Sequence, residues 1–303
     1  MTRVAVLGAS GFVGSAVAEA LRGRGASVVP VPAPRLTSTA GSPAAVAAEL
    51  ETDAVGTALG ALREAVQECD AVVNAAGVAR AASGWDAAMV GANALLPLVA
   101  AHARPAGARL VHVSSVAVQG RARVLDESLH YAPFSPYSAS KALGEQALLG
   151  CPDVVVFRPT SVQGPGRDVT RTLARVLSSP VASVAGPGTA ATPQVLVANV
   201  ADAVAFVTLT PERPPRVVLQ PAEGLTVAEL VRLVGKREPR HVPTPLARLV
   251  VASGAVLGRW SGPVAGASRR LEMMWFGQDQ AASWLDGRWS APVGREGWRE
   301  LTR

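Results

Sequence analysis

The 303 residues are 49% hydrophobic and 17% charged, with two cysteines and a formal net charge of +6. No apolar run reaches the roughly 20 residues of a membrane-spanning helix, Cys69 and Cys151 form no CxxC pair, and the arginines cluster only at Arg22 to Arg24 and Arg269-Arg270. These features weigh against membrane, disulfide-framework and nucleic-acid-binding classes, and the length suits one large domain carrying a smaller one.

In chain order, short apolar runs predict strands at Val4 to Leu7, Ser27 to Val31, Ala71 to Asn74, Leu110 to Ser114 and Val154 to Arg158. Ala/Leu-rich stretches with helical spacing separate them, and Ala33 to Pro43 is a Pro/Ser/Thr/Gly-rich loop. This βαβ rhythm predicts an α/β fold, a Rossmann-type doubly wound parallel sheet with ligands at the carboxyl ends of its strands. From Gly164 onward Pro and Gly rise, and the pattern shortens to segments at Val169 to Leu177, Val195 to Val200, Ala201 to Leu209, Leu225 to Val234 and Leu246 to Leu257. The expected division is a nucleotide-binding domain over 1–163, to which parts of 195–210 return, and a smaller C-terminal substrate-binding lobe over 164–303. Leu246 to Leu257 is apolar, but Arg248 interrupts it, so packing within the lobe is expected and no membrane partner is assigned. No signal-like apolar region precedes the first strand, which predicts a cytoplasmic protein.

Three motifs carry chemistry. Gly8-Ala9-Ser10-Gly11-Phe12-Val13-Gly14 lies between a predicted strand and a predicted helix. There Gly8 permits a tight turn, Gly11 lets the backbone approach a pyrophosphate and Gly14 lets the helix pack closely on the strand. At the end of the second strand, Val31-Pro32-Ala33-Pro34-Arg35 offers no acid for an adenine ribose. Arg35 either pairs with the 2′-phosphate of NADP or is an ordinary loop residue; the first reading favours NADP(H) over NAD(H).

Tyr137 and Lys141 stand four residues apart in a chain that has 2 tyrosines and, by inspection, lysine only at 141 and 236. On a helix both side chains share one face, where an ammonium would favour the phenolate and let Tyr137 exchange the proton that accompanies hydride transfer.

With these motifs the chain resembles the extended short-chain dehydrogenase/reductase family, in its sugar-nucleotide epimerase, dehydratase and ketoreductase branch. Asp70 to Gly77 resembles that family's fourth-strand signature, which brings Ala75, Ala76 and Gly77 to the cofactor and Val78 to the substrate. Asp53 resembles the acid near the adenine, Asn93 the helix asparagine, and Val113 to Gly120 the fifth-strand end. The resemblance implies Val113 at the cofactor and Ser115 as hydroxyl donor to the substrate oxygen, with Ser114 its structural neighbour. Arg158 to Gly166 resembles the segment that meets the nicotinamide ribose and substrate, through Pro159, Thr160, Ser161 and Val162. Ser161 stands where asparagine is common, and Gln119 and Gln163 replace frequent tyrosines, so an altered substrate surface is expected at Ser161, Gln119 and Gln163. A possible homodimer is implied by the resemblance alone.

Val116 and Ala117 follow Ser115 where a 4,6-dehydratase would carry an acid and a base, which disfavours dehydration. Asp126-Glu127 reads as a solvated loop pair. His102, His112, His130 and His241 show no paired ligand spacing, so no metal is expected. The small-molecule substrate expected is a nucleotide sugar and the leading activity is NADP(H)-dependent reduction of a keto sugar nucleotide. An NAD-dependent 4-epimerase and a catalytically idle NADP-binding regulatory protein stand as alternatives.

Overall fold

The computed structural model describes residues 1–79, 85–258 and 260–301. Six short strands form its central sheet: β1 (Arg3–Leu7), β2 (Ser27–Val31), β3 (Ala71–Asn74), β4 (Arg109–Val113), β5 (Val154–Arg158) and β6 (Val217–Leu219). All pairings in the sheet are parallel and its order is β6-β5-β4-β3-β1-β2. The order reverses between β1 and β3, the place where an open α/β sheet leaves a crevice at its carboxyl edge. Pro30, which has no N–H to give, lies in β2 at the sheet's edge.

Alternation along the strands loads both faces. In β1, Ala5 and Leu7 enter one core while Val4 and Val6 enter the other. The second core is closed by α1 (Phe12–Gly23), with Val17 and Leu21. The first is closed by α2 (Pro43–Ala48), α3 (Asp53–Val66), α4 (Ala87–Val90), α5 (Leu96–Ala103) and α6 (Pro136–Ala147), through residues such as Val46, Leu62, Leu98 and Leu143. A π-helical turn, Gly91–Leu95, joins α4 to α5.

Beyond Gly164 come α7 (Asp168–Leu177), α8 (Val197–Leu209), α9 (Val227–Gly235), α10 (Thr244–Leu257), α11 (Gly262–Phe276) and α12 (Arg295–Glu300). The chain re-enters the sheet layer twice. Helix α8 packs against α1 through Val200, Val204 and Val207, and β6 pairs with β5. Three-residue β6 and helix α11 were not anticipated from the sequence pattern. Two smaller cores hold the rest of the C-terminal part, one of Leu177, Val184, Leu230, Val231 and Trp298 and one of Ala185, Ala247, Val251 and Trp275. Both cysteines are free and buried, and burial raises both thiol pKa values.

Candidate active site

The glycine turn closes on the loop after β3. Gly8 has φ +78°, and a Cβ there would stand 2.7 Å from the Ala76 nitrogen. A Cβ on Gly14 would stand 1.9 Å from the Gly8 oxygen, so α1 can sit this close to the strand only with glycine at both points. Gly11 donates its N–H to Gly8 (2.9 Å) and caps α1 with no side-chain bond, and the helix's first turn contains no acid. The helix end therefore presents free N–H groups and positive potential at the carboxyl edge of the sheet. Ser10 is exposed on this turn; Phe12 and Val13 are half-buried. Ala75 donates to Leu7 (3.0 Å) and Ala76 to Asn74 Oδ1 (3.1 Å), fixing the facing loop.

Arg35 is exposed in the loop after β2, whose last residue Val31 is in register with Leu7. Asp53 is exposed in the first turn of α3. Neither is hydrogen-bonded or ion-paired to the glycine turn among the described residues.

Helix α6 starts where its sequence says it should. Ser135 and Ser138 form a reciprocal capping box and Pro136 takes the first turn, where its missing N–H costs nothing. Buried Lys141 donates from Nζ to the Val113 carbonyl (3.1 Å), and a Cβ on Gly77 would sit 3.0 Å from the same Nζ. Burial pulls the Lys141 pKa down to about 8, opposed by the Glu145 carboxylate one turn along. Ser115 caps a 3-10 turn, Val116–Gln119, accepting from the Ala117 N–H at 3.2 Å. Its hydroxyl is the neighbour that most lowers the Tyr137 phenol's pKa.

The phenol differs from expectation. Burial raises its pKa above the ordinary value, and the influences that lower it are Ser115 and the Arg167 guanidinium rather than Lys141. The physical reason is geometric: the Val113 carbonyl engages the ammonium, and desolvation is the larger effect on the phenol. A neutral phenol at working pH is a proton donor.

Asn93 lies buried in the π-helical turn. Its amide accepts from Val78 N (2.9 Å), donates to Val78 O (2.9 Å) and donates to Ser140 Oγ (3.0 Å), while Ser140 bonds the Tyr137 carbonyl (2.9 Å). Asn93 thus ties the loop after β3 to the first turns of α6, with no amide atom left over. π-turns gather at functional sites for such re-aimed side chains.

After β5, the Pro159 carbonyl accepts from Val116 N (3.0 Å), and the Thr160 hydroxyl is buried without a partner among the described residues. Ser161 bonds Gln163, and the Val162 carbonyl accepts from Arg167. Arg167 stacks over the Phe12 ring at 5.0 Å, linking this segment to the glycine turn.

Two expected substrate contacts are committed elsewhere. Gln119 is buried, exchanging hydrogen bonds with the Asp126 side chain (2.6 Å) and backbone (3.1 Å). Gln163 is buried between Gln194 (2.7 Å), Ser161 (3.0 Å) and Thr170 (2.8 Å). The Asp126-Glu127 pair is likewise internal bracing rather than solvated loop. Asp126 holds Gln119 and Ser128, and Glu127 accepts from Leu219 N, Ser283 Oγ and Trp284 N. His112 is a buried strand residue held neutral by desolvation and by nearby Lys141. No group of acidic, histidine or cysteine side chains among the described residues could hold a metal ion.

Two neighbours of the site escaped the sequence reading. Glu145 is one turn beyond Lys141 and pairs with Arg158 at 2.6 Å, both fully buried, and Ser114 donates to the same carboxylate. Arg167 is the second. Glu145 had a signal in its i,i+4 spacing from Lys141, and Arg167 in its place between a Gly-Pro-Gly turn and a helix start.

A family model described as the NAD dependent epimerase/dehydratase family matches residues 4–219. Among solved structures, a human epimerase family protein with NADPH is similar at 20% identity and TM-score 0.64, covering 99% of this chain and 99% of that one. The UDP-glucuronic acid 4-epimerase of Bacillus cereus, in complex with NAD, is 16% identical at TM-score 0.63, with coverages of 98% and 94%. A dTDP-4-dehydrorhamnose reductase of Clostridium acetobutylicum is 19% identical at TM-score 0.57, with coverages of 80% and 83%. At these identities the likeness concerns the fold. A comparison with curated protein sequences finds no match.

Proposed function

The chain belongs to the NAD-dependent epimerase/dehydratase family, and from that premise we propose that it is an NADP(H)-dependent ketoreductase acting on a keto (deoxy)sugar nucleotide. The observation that carries this reading is the placement of Tyr137 and buried Lys141 on one helix against Val113 and Ser115 at the carboxyl edge of the sheet, with the phenol's pKa raised by burial. Reduction needs a proton donor at that place; oxidation would need the phenolate.

The residues present fit a dinucleotide. The uncapped end of α1, the side-chain-free surface over Gly8, Gly11 and Gly77, and the unpartnered Thr160 hydroxyl match a diphosphate, a ribose and an amide-bearing ring. In this reading the turn Gly8, Ser10, Gly11, Phe12, Val13 and Gly14 holds the diphosphate. Arg35, free of any acid at the end of β2, meets a 2′-phosphate, and Asp53 serves the adenine side. Ala75, Ala76, Gly77, Val113 and Lys141 line the ribose nearest the reaction, with Pro159 to Val162 beyond. When bound there, the nicotinamide supplies hydride.

The protein's part is the proton. Tyr137 gives it to the substrate oxygen while the Ser115 hydroxyl donates to that same oxygen and steadies its developing charge. Lys141, cationic below about pH 8, holds ribose hydroxyls. Asn93 keeps Val78 and α6 in place. Substrate recognition falls to Val78, Ser115, Tyr137 and Ser161, because Gln119 and Gln163 are consumed internally. The missing acid–base pair after Ser115 speaks against dehydration, since Val116 and Ala117 cannot move a proton.

The nucleotide-sugar assignment draws on the solved relatives, which include a dTDP-4-dehydrorhamnose reductase and a UDP-glucuronic acid 4-epimerase. The test is NADPH oxidation with a panel of 4-keto nucleotide sugars. Substrate-dependent oxidation is expected. No oxidation with any of them, together with C4 epimer interconversion without added cofactor, assigns the site to a 4-epimerase instead.

A further inference from the structure

Arg167 stands where charge alone would not put a cation. It directly precedes α7, in the segment after β5, and its guanidinium lies over the ring of Phe12, the first residue of α1, at 5.0 Å. The uncapped start of α1 is the positive end of that helix, so a cation beside it is repelled. The fold builds the contact nevertheless. Glycine at 164 brings the segment against the same ring, since a Cβ there would stand 2.9 Å from the Phe12 Cζ, and the stacked guanidinium gains a cation–π attraction.

The side chain is half-buried, and burial lowers its pKa. It donates to the Val162 carbonyl, and no carboxylate among the described residues pairs with it. The adjoining acid, Asp168, is paired with Arg171 instead. Arg109, also half-buried, is saturated by comparison, donating to the carbonyls of Val207, Thr210 and Glu212. Arg167 keeps the rest of a planar fork of donors, the geometry that takes two phosphate oxygens at once. The same segment carries Thr160, whose buried hydroxyl has no partner among the described residues. An anion between the guanidinium and the start of α1 removes the repulsion between them and occupies donors on both sides.

We infer that Arg167 is a diphosphate ligand of the cleft, its free donors and the N–H groups at the start of α1 closing on the same anion, so that the segment after β5 and the glycine turn are joined through what they bind. The inference rests on the reading of the cleft as a site for a dinucleotide and a nucleotide sugar, and it adds a residue that the glycine motif does not contain. Both of those molecules carry a diphosphate, and the test separates them.

The test is calorimetric binding by the full chain, as wild type, Arg167→Met and Arg167→Lys, to NADPH and separately to UDP, dTDP and GDP. Arg167→Met is expected to weaken at least one of the two sets about tenfold or more. Arg167→Lys, which keeps the charge and loses the fork, is expected to fall between the other two proteins. A loss confined to NADPH gives the arginine to the dinucleotide; one confined to the nucleoside diphosphates gives it to the substrate. Unchanged affinity for both sets in Arg167→Met, while the wild type binds NADPH, overturns this inference alone. So does a weakening of both sets that the lysine variant does not relieve and that comes with a lowered thermal midpoint, the mark of a purely structural role. No binding of NADPH by the wild type overturns the reading of the cleft and this inference together.

Discussion

At the scale of single residues, the site is a contest between burial and charge. Lys141 carries its ammonium into a buried place, and the cost appears as a pKa near 8 instead of 10.5. Between those two pH values the unfolded chain keeps a proton that the folded one has lost, so unfolding free energy rises with pH across that window. Below about pH 8 both states are protonated and the penalty of the buried charge is fully present; above 10.5 it is gone. Replacing Lys141→Met removes this dependence. In urea unfolding at a series of pH values, wild-type stability minus that of the variant is expected to increase by up to about 3 kcal/mol from pH 8 to 10.5; a constant difference would contradict the assignment. That Tyr137 and Lys141 share one helix and that Ser115 stands just past a strand end were legible in the sequence from helical spacing and the apolar run. The roles of Gln119 and Gln163 were not, since each depends on a partner, Asp126 or Gln194, that only the tertiary fold supplies.

At the scale of elements, a buried ion pair helps to fasten α6 to the sheet. Glu145 holds Arg158 of β5 in three charge-assisted bonds and accepts from Ser114, beside Ser115. Removing one member leaves the other charged and dry, which costs about 3–5 kcal/mol. Glu145→Gln is expected to destabilise by that order in urea unfolding. It should also move Lys141's titration further below pH 8, because the carboxylate is what raises it. Unchanged stability would show that α6 is held by packing alone. The π-turn at Asn93 belongs to this scale too. Nothing in Gly91-Ala92-Asn93 announces an extra residue per turn, yet that insertion aims Asn93 at Val78 and Ser140.

At the scale of the molecule, the central sheet and the helices that cover it are not contiguous in the chain. Five strands were readable from apolar runs, but β6 has only three residues and lies in a proline-rich stretch, too short to show a period. Helix α11 hid behind its own glycines and paired arginines. Because α8 covers α1 and β6 completes the sheet edge, a fragment of residues 1–163 lacks half of one core. That fragment is expected to show no cooperative urea transition, whereas a fragment of residues 1–220 should show one. A cooperative transition in the shorter piece would mean that the N-terminal half folds without the returning elements.

The whole account turns on hydride reaching a carbonyl carbon while Tyr137 gives its proton to the oxygen of that carbonyl. NADPH deuterated at C4 of the nicotinamide, incubated with a 4-keto nucleotide sugar, tests this directly by mass spectrometry of the product. The account predicts one deuterium on the new carbinol carbon, and a rate about 10²–10⁴-fold lower in Tyr137→Phe with cofactor affinity retained. Product without deuterium, or full turnover in Tyr137→Phe, would contradict it.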